Sequence, residues 1–577
     1  MPARAGDPLA LRGGARGTSG NRAISIIISH SSSTDNNTTA SVIIGWKSHA
    51  NCGYDVATAR DADPHERRPG PTVPGGKGNM AHQRERLVVV SNRLPFVFRR
   101  DDAGKWLVEP GGGGLVTALL PVLRHRGGMW IGWGGTADVS PDLGAELAAA
   151  GVGAGYTLQA VPLTAEEVRN FYEGFSNEII WPLFHDMQLR CNFDPAYWNS
   201  YCAVNRKYAQ IVHAVGASGD FIWVHDYHLM NVGAELRGLG CRSRIGFFLH
   251  IPFPSPDIYL KLPWRKALIE ALLQYDLIGF QTSRDRRNFL QCVRALIDVT
   301  EVDGRRHVVQ IAVGGRKVRI GHFPISIDFN AFMEQASAPE VAARAAELHK
   351  LLPRRKLILG IDRLDYTKGI PERLKAFHNV LTRYPELRER ISLIQAVVPS
   401  REDIPEYHEL KTEIEQLVGK INGGFVDPGG WVPVWFVYRN LSRLDLLAYY
   451  RAADIALVTP LRDGMNLVAK EYCACSVEED CTLILSEFAG AAEQLARGAI
   501  LVNPHDVEGV ADAIHRAFHM EPQEREARMG GMRRSIRRQD VFWWVDSFLR
   551  AAIAKDLRAF PGASETGADA YAEPVSL

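Results

Sequence analysis

The sequence predicts an α/β protein built from two doubly wound domains that face a cleft. Short β-rich runs alternate with amphipathic helical patterns from about residue 86 onward. The runs are continuously apolar, which belongs to parallel sheets covered on both faces. They also fall into two series that divide near residue 325. Ligands of such folds gather at the carboxyl ends of the strands, so two of them together frame a cleft.

At 577 residues the chain exceeds one ordinary domain. Its 46% hydrophobic and 23% charged residues match a globular protein. A net charge of +1 gives no basis for nucleic acid or an anionic membrane as partner. Eight cysteines without a CxxC pair suit neither a disulfide scaffold nor a zinc ribbon; a reducing, cytoplasmic compartment is expected. No apolar run approaches the roughly 18 residues of a membrane span.

In chain order, residues 1–85 contain "SHSSSTDNNTT" and "RRPGPTVPGGKGN", polar and Gly/Pro-rich. They are expected to be disordered, or an over-long start with Met80 ahead of the first strand; an Arg- and Ser-rich transit segment is the alternative. Residues 86–325 hold the first strand series, "RLVVVS", "MWIGW", "DFIWVH", "RIGFFLH" and "DLIGF". Residues 326–535 hold the second, "KLILGID", "ISLIQAV", "DIALVTP" and "TLILSE". A helix is predicted within 536–560 from "QDVFWWVDSFLRAAIAKDL", and 561–577 form a polar tail expected to be disordered.

Several strand ends concentrate polar residues. In "VTPLRDGMNLVAKEY" (458–472), Met465, Val468, Ala469 and Tyr472 recur at helical spacing. Asp463 and Gly464 then stand at the helix entry, where free backbone N–H groups bind anions or hydroxyls. Glu471 follows Asp463 by eight residues, roughly 12 Å along a helix. Paired glycosidase carboxylates sit only about 5 to 9.5 Å apart. These two acids therefore suit the two ends of an extended ligand; an N-cap Asp with a solvated Glu is the alternative.

"GIDRLDYTKGIPERL" (360–374) ends a strand with Arg363 and Lys368 before a helix with Pro371 in its first turn. Two cations at a helix N-terminus make a diphosphate site, unless Arg363 merely pairs with Asp365. Arg93 follows the first strand, and Gly113 and Gly114 open the next helix, where backbone can approach a phosphate. The glycines match neither the dinucleotide nor the P-loop spacing. In "WVHDYHL" and "FFLHIPFPSP", His225, Asp226 and His228 lack further metal ligands, so no metal is expected. Asp226 suits a hydroxyl or leaving-group contact. His250 is either a hydroxyl ligand or a core histidine bonded to backbone.

Taken in order, "SNRLP", "GGL", "FYEGFSNEIIWPLFH", "WVHDYHL", "IGFFLHIPFPSP", "DRLDYTKGIPERL", "SREDIPEY", "TPLRDGMNLVAKEY" and "LSEFAGAAEQL" closely resemble glycosyltransferase family 20, the trehalose-6-phosphate synthases, across about residues 86–550. The resemblance implies two Rossmann-like domains in the GT-B arrangement, an acceptor domain first and a nucleotide-sugar domain second, with the C-terminal helix crossing back onto the first. It implies transfer of glucose from UDP-glucose to glucose 6-phosphate with retention, without cofactor or metal and without a covalent nucleophile. On the donor side it assigns Gly113, Gly114, Arg363 and Lys368 to the diphosphate, and His250 and Asp463 to glucose hydroxyls. The backbone of Gly464, Met465 and Asn466 completes that pocket, while Leu467, Val468 and Glu471 hold the nucleoside. The acceptor meets Arg93, Tyr172, Trp181, Asp226 and Arg401, with Trp133 lining the cleft. Arg363, Lys368, His250, Asp463 and Asp226 form the catalytic group. Osmoprotection and stress tolerance are family expectations, and a homo-oligomer is compatible.

Two departures from the family pattern stand out. "CSVEEDC" replaces a Pro- and Asn-containing turn, and Leu441 stands where a donor-contacting Phe can occur. UDP-, ADP- and GDP-glucose are not separated by these motifs. The alternatives are a glucosylglycerol-phosphate synthase, acting on glycerol 3-phosphate, and a catalytically silent regulatory homologue.

Overall fold

The computed structural model describes residues 86–101, 106–111, 114–137, 146–147, 150–151, 155–304, 307–400, 405–425 and 430–554. The expectations placed on residues 1–85 and 561–577, and on Gly113 and Arg401, lie outside these.

The first lobe contains β1 (Leu87–Arg93), β2 (Phe96–Arg100), β3 (Trp106–Pro110), β4 (Met129–Trp133), β5 (Thr157–Ala160) and β6 (Phe221–His225). It continues with β7 (Arg244–Phe248), β8 (Leu277–Phe280), β9 (Thr300–Gly304), β10 (Val308–Val313) and β11 (Arg316–His322). Apart from the β2–β3 hairpin, these strands form one sheet in the order β5-β4-β1-β6-β7-β8-β11-β10-β9. The run from β5 to β11 is parallel, while β10 and β9 add an antiparallel edge. The sequence pattern missed that edge, because β10 and β11 turn at Gly314 and Gly315 and are each only partly buried, without the continuous apolar run of the parallel strands.

The second lobe has β12 (Lys356–Arg363), β13 (Ile391–Val398), β14 (Val434–Tyr438), β15 (Ile455–Val458), β16 (Thr482–Ser486) and β17 (Ile500–Val502). Its sheet is parallel, in the order β14-β13-β12-β15-β16-β17. Counted from its own first strand, that order is 3-2-1-4-5-6, and the first lobe repeats it from β5 to β8. The order reverses between β1 and β6 in one lobe, and between β12 and β15 in the other. A crevice opens outside the carboxyl ends of the strands at each reversal. The two-Rossmann α/β expectation holds.

The chain crosses between lobes twice. After β11, residues 323–328 lead into the helix Phe329–Ser337. The helix Val541–Ile553 returns to the first sheet, and Val541 N–H donates to Ile327 O at 3.0 Å beside the first crossing. Phe548 stacks on Trp223 at 4.4 Å, and Trp544 lies 5.0 Å from the same ring. Gly246 and Gly279 make room for Phe548, since a Cβ on either would come within 2.9 Å of its ring. Arg319 secures the helix end by donating to the carbonyls of Ala551, Ala552 and Ala554. No helix among the described residues is long and apolar enough to cross a membrane.

Candidate active site

The singled-out residues lie at the two points where strand order reverses. Arg93 ends β1 and Asp226 follows β6; Arg363 ends β12, and the turn with Asp463 follows β15. The sequence brings them there because each buried strand must end in a turn, and the turns on one edge share one crevice.

On the first lobe, the Arg93 guanidinium lies 4.5 Å from the Trp133 ring centroid and 5.4 Å from that of Tyr172. Trp133 and Tyr172 are 6.2 Å apart, and Tyr172 stacks on His228 at 5.7 Å. Tyr172 is carried by a π-helical stretch, Val168–Ile180. Such stretches are uncommon and recur at functional sites. Trp181 follows directly and lies 4.2 Å from His185 and 5.7 Å from Tyr227. His185 holds Trp181 O at 2.7 Å through Nδ1, and burial lowers its pKa to about 4.

Asp226 adopts φ +74, a left-handed conformation that favours glycine and costs strain in other residues. Its N–H donates to Phe248 O at 2.8 Å, and its Oδ1 accepts from His250 N–H at 3.2 Å. The strained turn thus locks the ends of β6 and β7 together. His228 is committed to the Tyr172 stack, and His225 lies against His250 at 3.1 Å. No group of three His, Cys, Asp or Glu among the described residues is placed to hold a metal.

On the second lobe, Lys368 Nζ reaches Asp463 Oδ2 at 2.6 Å, with side chains only 11% and 15% exposed. Burial pushes the Asp463 carboxyl up. The Lys368 ammonium outweighs it, with His185 and Asn466 adding to the pull, so the carboxyl lies below its ordinary range. The helix Leu467–Cys475 is capped by Asn466, whose Oδ1 accepts from Ala469 N–H at 3.2 Å. Asp463 is therefore not the N-cap, and its carboxylate is left for the Lys368 corner. Glu471 is half-buried rather than solvated. Tyr450 donates to it at 2.8 Å, while burial raises its pKa. Lys368 ends a short 3-10 turn, Tyr366–Lys368, and Gly369 at φ +63 starts the helix Ile370–Arg383. Asp365 turns inward to accept from Thr367 N–H and Oγ1. Arg363 is exposed at the strand end, and Gly114 begins the helix Gly114–Arg126.

The lobes meet at these corners. A Cβ on Gly464 would sit 2.1 Å from His250 O, so the turn after β15 packs directly on the β7 end. From the other side, a Cβ on Gly490 would sit 1.9 Å from Gly464 O. Asp186 and Arg462 pair at 3.4 Å, and the Arg190 guanidinium covers the Tyr366 ring at 4.8 Å. Glu493 caps Ser283 N–H at 3.0 Å.

Sequence reasoning did not single out His185 and Asp186, which the structure brings to these corners. It also missed Arg373, fully buried against Asp362 at 2.6 Å and Gln395 at 3.2 Å beneath β12. An arginine inside the apolar stripe of "PERLKAFHNVL" was the available signal.

Two Rossmann lobes set against each other at the strand ends where their orders reverse make the arrangement of GT-B enzymes. The family model for glycosyltransferase family 20 matches residues 85–554. Trehalose-6-phosphate synthase of Mycobacterium avium is 43% identical over 486 residues, 83% of this chain and 97% of that protein. A UDP-forming trehalose-phosphate synthase from Burkholderia xenovorans, solved with glucose-6-phosphate, superposes with TM-score 0.73 at 35% identity, covering 81% and 100% of the two chains. A trehalose-6-phosphate synthase from E. coli bound with UDP-2-fluoro glucose gives 0.72 at 36% identity, covering 82% and 99%. The chain belongs to glycosyltransferase family 20.

Proposed function

We propose that the protein transfers glucose from UDP-glucose to glucose 6-phosphate with retention, giving trehalose 6-phosphate and UDP. The observation that carries this reading is the Gly464–His250 backbone contact, which sets the Lys368–Asp463 corner of one lobe against the strand ends of the other. A donor gripped on the second lobe then meets an acceptor gripped on the first.

Lys368 and Arg363 neutralise the diphosphate and the charge that develops as UDP leaves. The N–H groups of Gly113 and Gly114 approach the same phosphates. Asp463, His250 and the backbone of Gly464, Met465 and Asn466 hold the glucose hydroxyls. Leu467, Val468 and Glu471 take the nucleoside, with Glu471 accepting from the ribose. Arg93 and Arg401 read the acceptor phosphate, while Tyr172, Trp181 and Asp226 orient its sugar. The bond from the glucose anomeric carbon to the UDP oxygen breaks as the acceptor hydroxyl attacks from the same face. The departing phosphate takes the acceptor proton, so no side chain has to act as a nucleophile. Positioning and charge stabilisation supply the rate. The enzyme is taken to be cytoplasmic, working on two small anionic sugars without nucleic acid or membrane, and a homo-oligomer is compatible with this reading.

An acceptor competition assay tests the reading. UDP-glucose is supplied with glucose 6-phosphate or glycerol 3-phosphate, and UDP release and product mass are followed. A disaccharide phosphate is expected. Product with glycerol 3-phosphate alone would overturn the acceptor half, and no product with either would overturn the reading for UDP-glucose.

A further inference from the structure

Ile325 lies in the first crossing between the lobes and is bonded in both directions. Its N–H donates to Gln281 Oε1 at 2.9 Å, and its carbonyl accepts from Lys470 Nζ at 2.7 Å. Lys470 is fully buried and immediately precedes Glu471. Burial lowers its pKa to about 7, and either charge state donates.

The hydrogen positions along this chain follow from donor chemistry. A backbone N–H only donates, so the Gln281 amide must turn its oxygen to Ile325. Its nitrogen then faces His250 Nδ1, at 3.4 Å. An amide nitrogen also only donates, so His250 Nδ1 accepts and the ring proton sits on Nε2. From there it points at His225 Nδ1, 3.1 Å away. The opposite tautomer would set two N–H groups against each other at Nδ1. His225 must then carry its own proton on Nε2, which is buried without a hydrogen-bond partner among the described residues. Burial lowers the pKa of both rings, that of His250 to about 3, which keeps them neutral.

We infer that Gln281 and Lys470 are positioning residues which, through Ile325, fix His250 as its Nε2–H tautomer and tie it to the helix that carries Glu471. The inference rests on the proposed function for what His250 does next. With its Nε2 proton turned to His225, His250 has only Nδ1 as an acceptor to offer on the donor-sugar side. One residue in the crossing therefore aligns the glucose side and the ribose side of the donor.

Nitrogen-15 NMR of histidine-labelled full-length protein tests this, with the His250 signals assigned by their loss in His250→Ala. The wild type is expected to show Nε2–H at His250; Nδ1–H there would overturn the inference without any activity measurement. Gln281→Glu keeps an acceptor for Ile325 N–H but accepts at His250 too, so the proton should move to Nδ1 and the His250 pKa should rise. Its kcat/KM for UDP-glucose should fall about tenfold, as when other outer partners of a functional histidine are lost, with the acceptor KM unchanged. Lys470→Met should raise the donor KM about fivefold and leave the acceptor KM alone. An unmoved tautomer in Gln281→Glu, or equal effects on both substrates, would overturn the inference. A wild type with the Nε2–H tautomer but no transfer would instead overturn the functional reading and leave the assignment standing.

Discussion

Replacing Lys368 with Met separates what this residue does for folding from what it does for turnover. Its ammonium is 2.6 Å from Asp463, and both side chains are largely buried. Removing one partner of a buried pair leaves an uncompensated charge and costs about 3–5 kcal/mol. Asp463 keeps the Asn466 Nδ2 bond at 3.2 Å, which places the cost near the lower end, about 3 kcal/mol. In the reaction, losing a cation at the developing phosphate charge should lower kcat by about 10²- to 10³-fold. The double variant Lys368→Met with Asp463→Asn removes both charges and should regain most of the stability while staying inactive. Urea unfolding measures the first effect, and UDP release at saturating substrates the second. The reasoning fails if folded Lys368→Met turns over near the wild-type rate, or if the double variant is no more stable than the single one.

Two further outcomes are expected. Gly464→Ala puts a methyl group 2.1 Å from His250 O, so the lobes cannot meet as they do here; kcat should fall about 100-fold, the loss from an ångström of misplacement. Retention of more than a tenth of the activity in the folded variant would refute that. Lys470 titrates near pH 7 when folded, against 10.5 ordinarily. The unfolded chain thus binds more protons between those values, and stability should climb with pH across that window, by up to about 1.4 kcal/mol per unit, and be flat below it. Urea unfolding at pH 6.5, 7.5 and 8.5 checks this, and a slope that survives in Lys470→Met would rule out Lys470 as its source.

The strand-end placement of the polar residues was legible because each is local to one strand end. Arg363, Lys368 and Asp463 stand in short motifs whose strand and helix signals are strong, and the fold class follows from the same signals. His185 and Gln281 were not legible. Their roles depend on His185 reaching Trp181 O and the Asp463 corner, and on Gln281 meeting Ile325 and His250. Nothing in the local pattern of "PLFHD" or "GFQTS" marks either contact. The alternatives for Asp463 and Glu471 needed the structure for the same reason. An N-cap is decided by where the helix starts, and Asn466 holds that place.

By itself the sequence determined the two series of continuously apolar parallel strands and which polar residues end them, because hydrophobic period and turn chemistry are short-range properties. Only the tertiary structure decided that Lys368 binds Asp463, that Gly464 lies on His250, and that Gln281 meets both Ile325 and His250. Those facts depend on groups tens to hundreds of residues apart meeting within about 3 Å, where hydrogen-bond geometry leaves little tolerance.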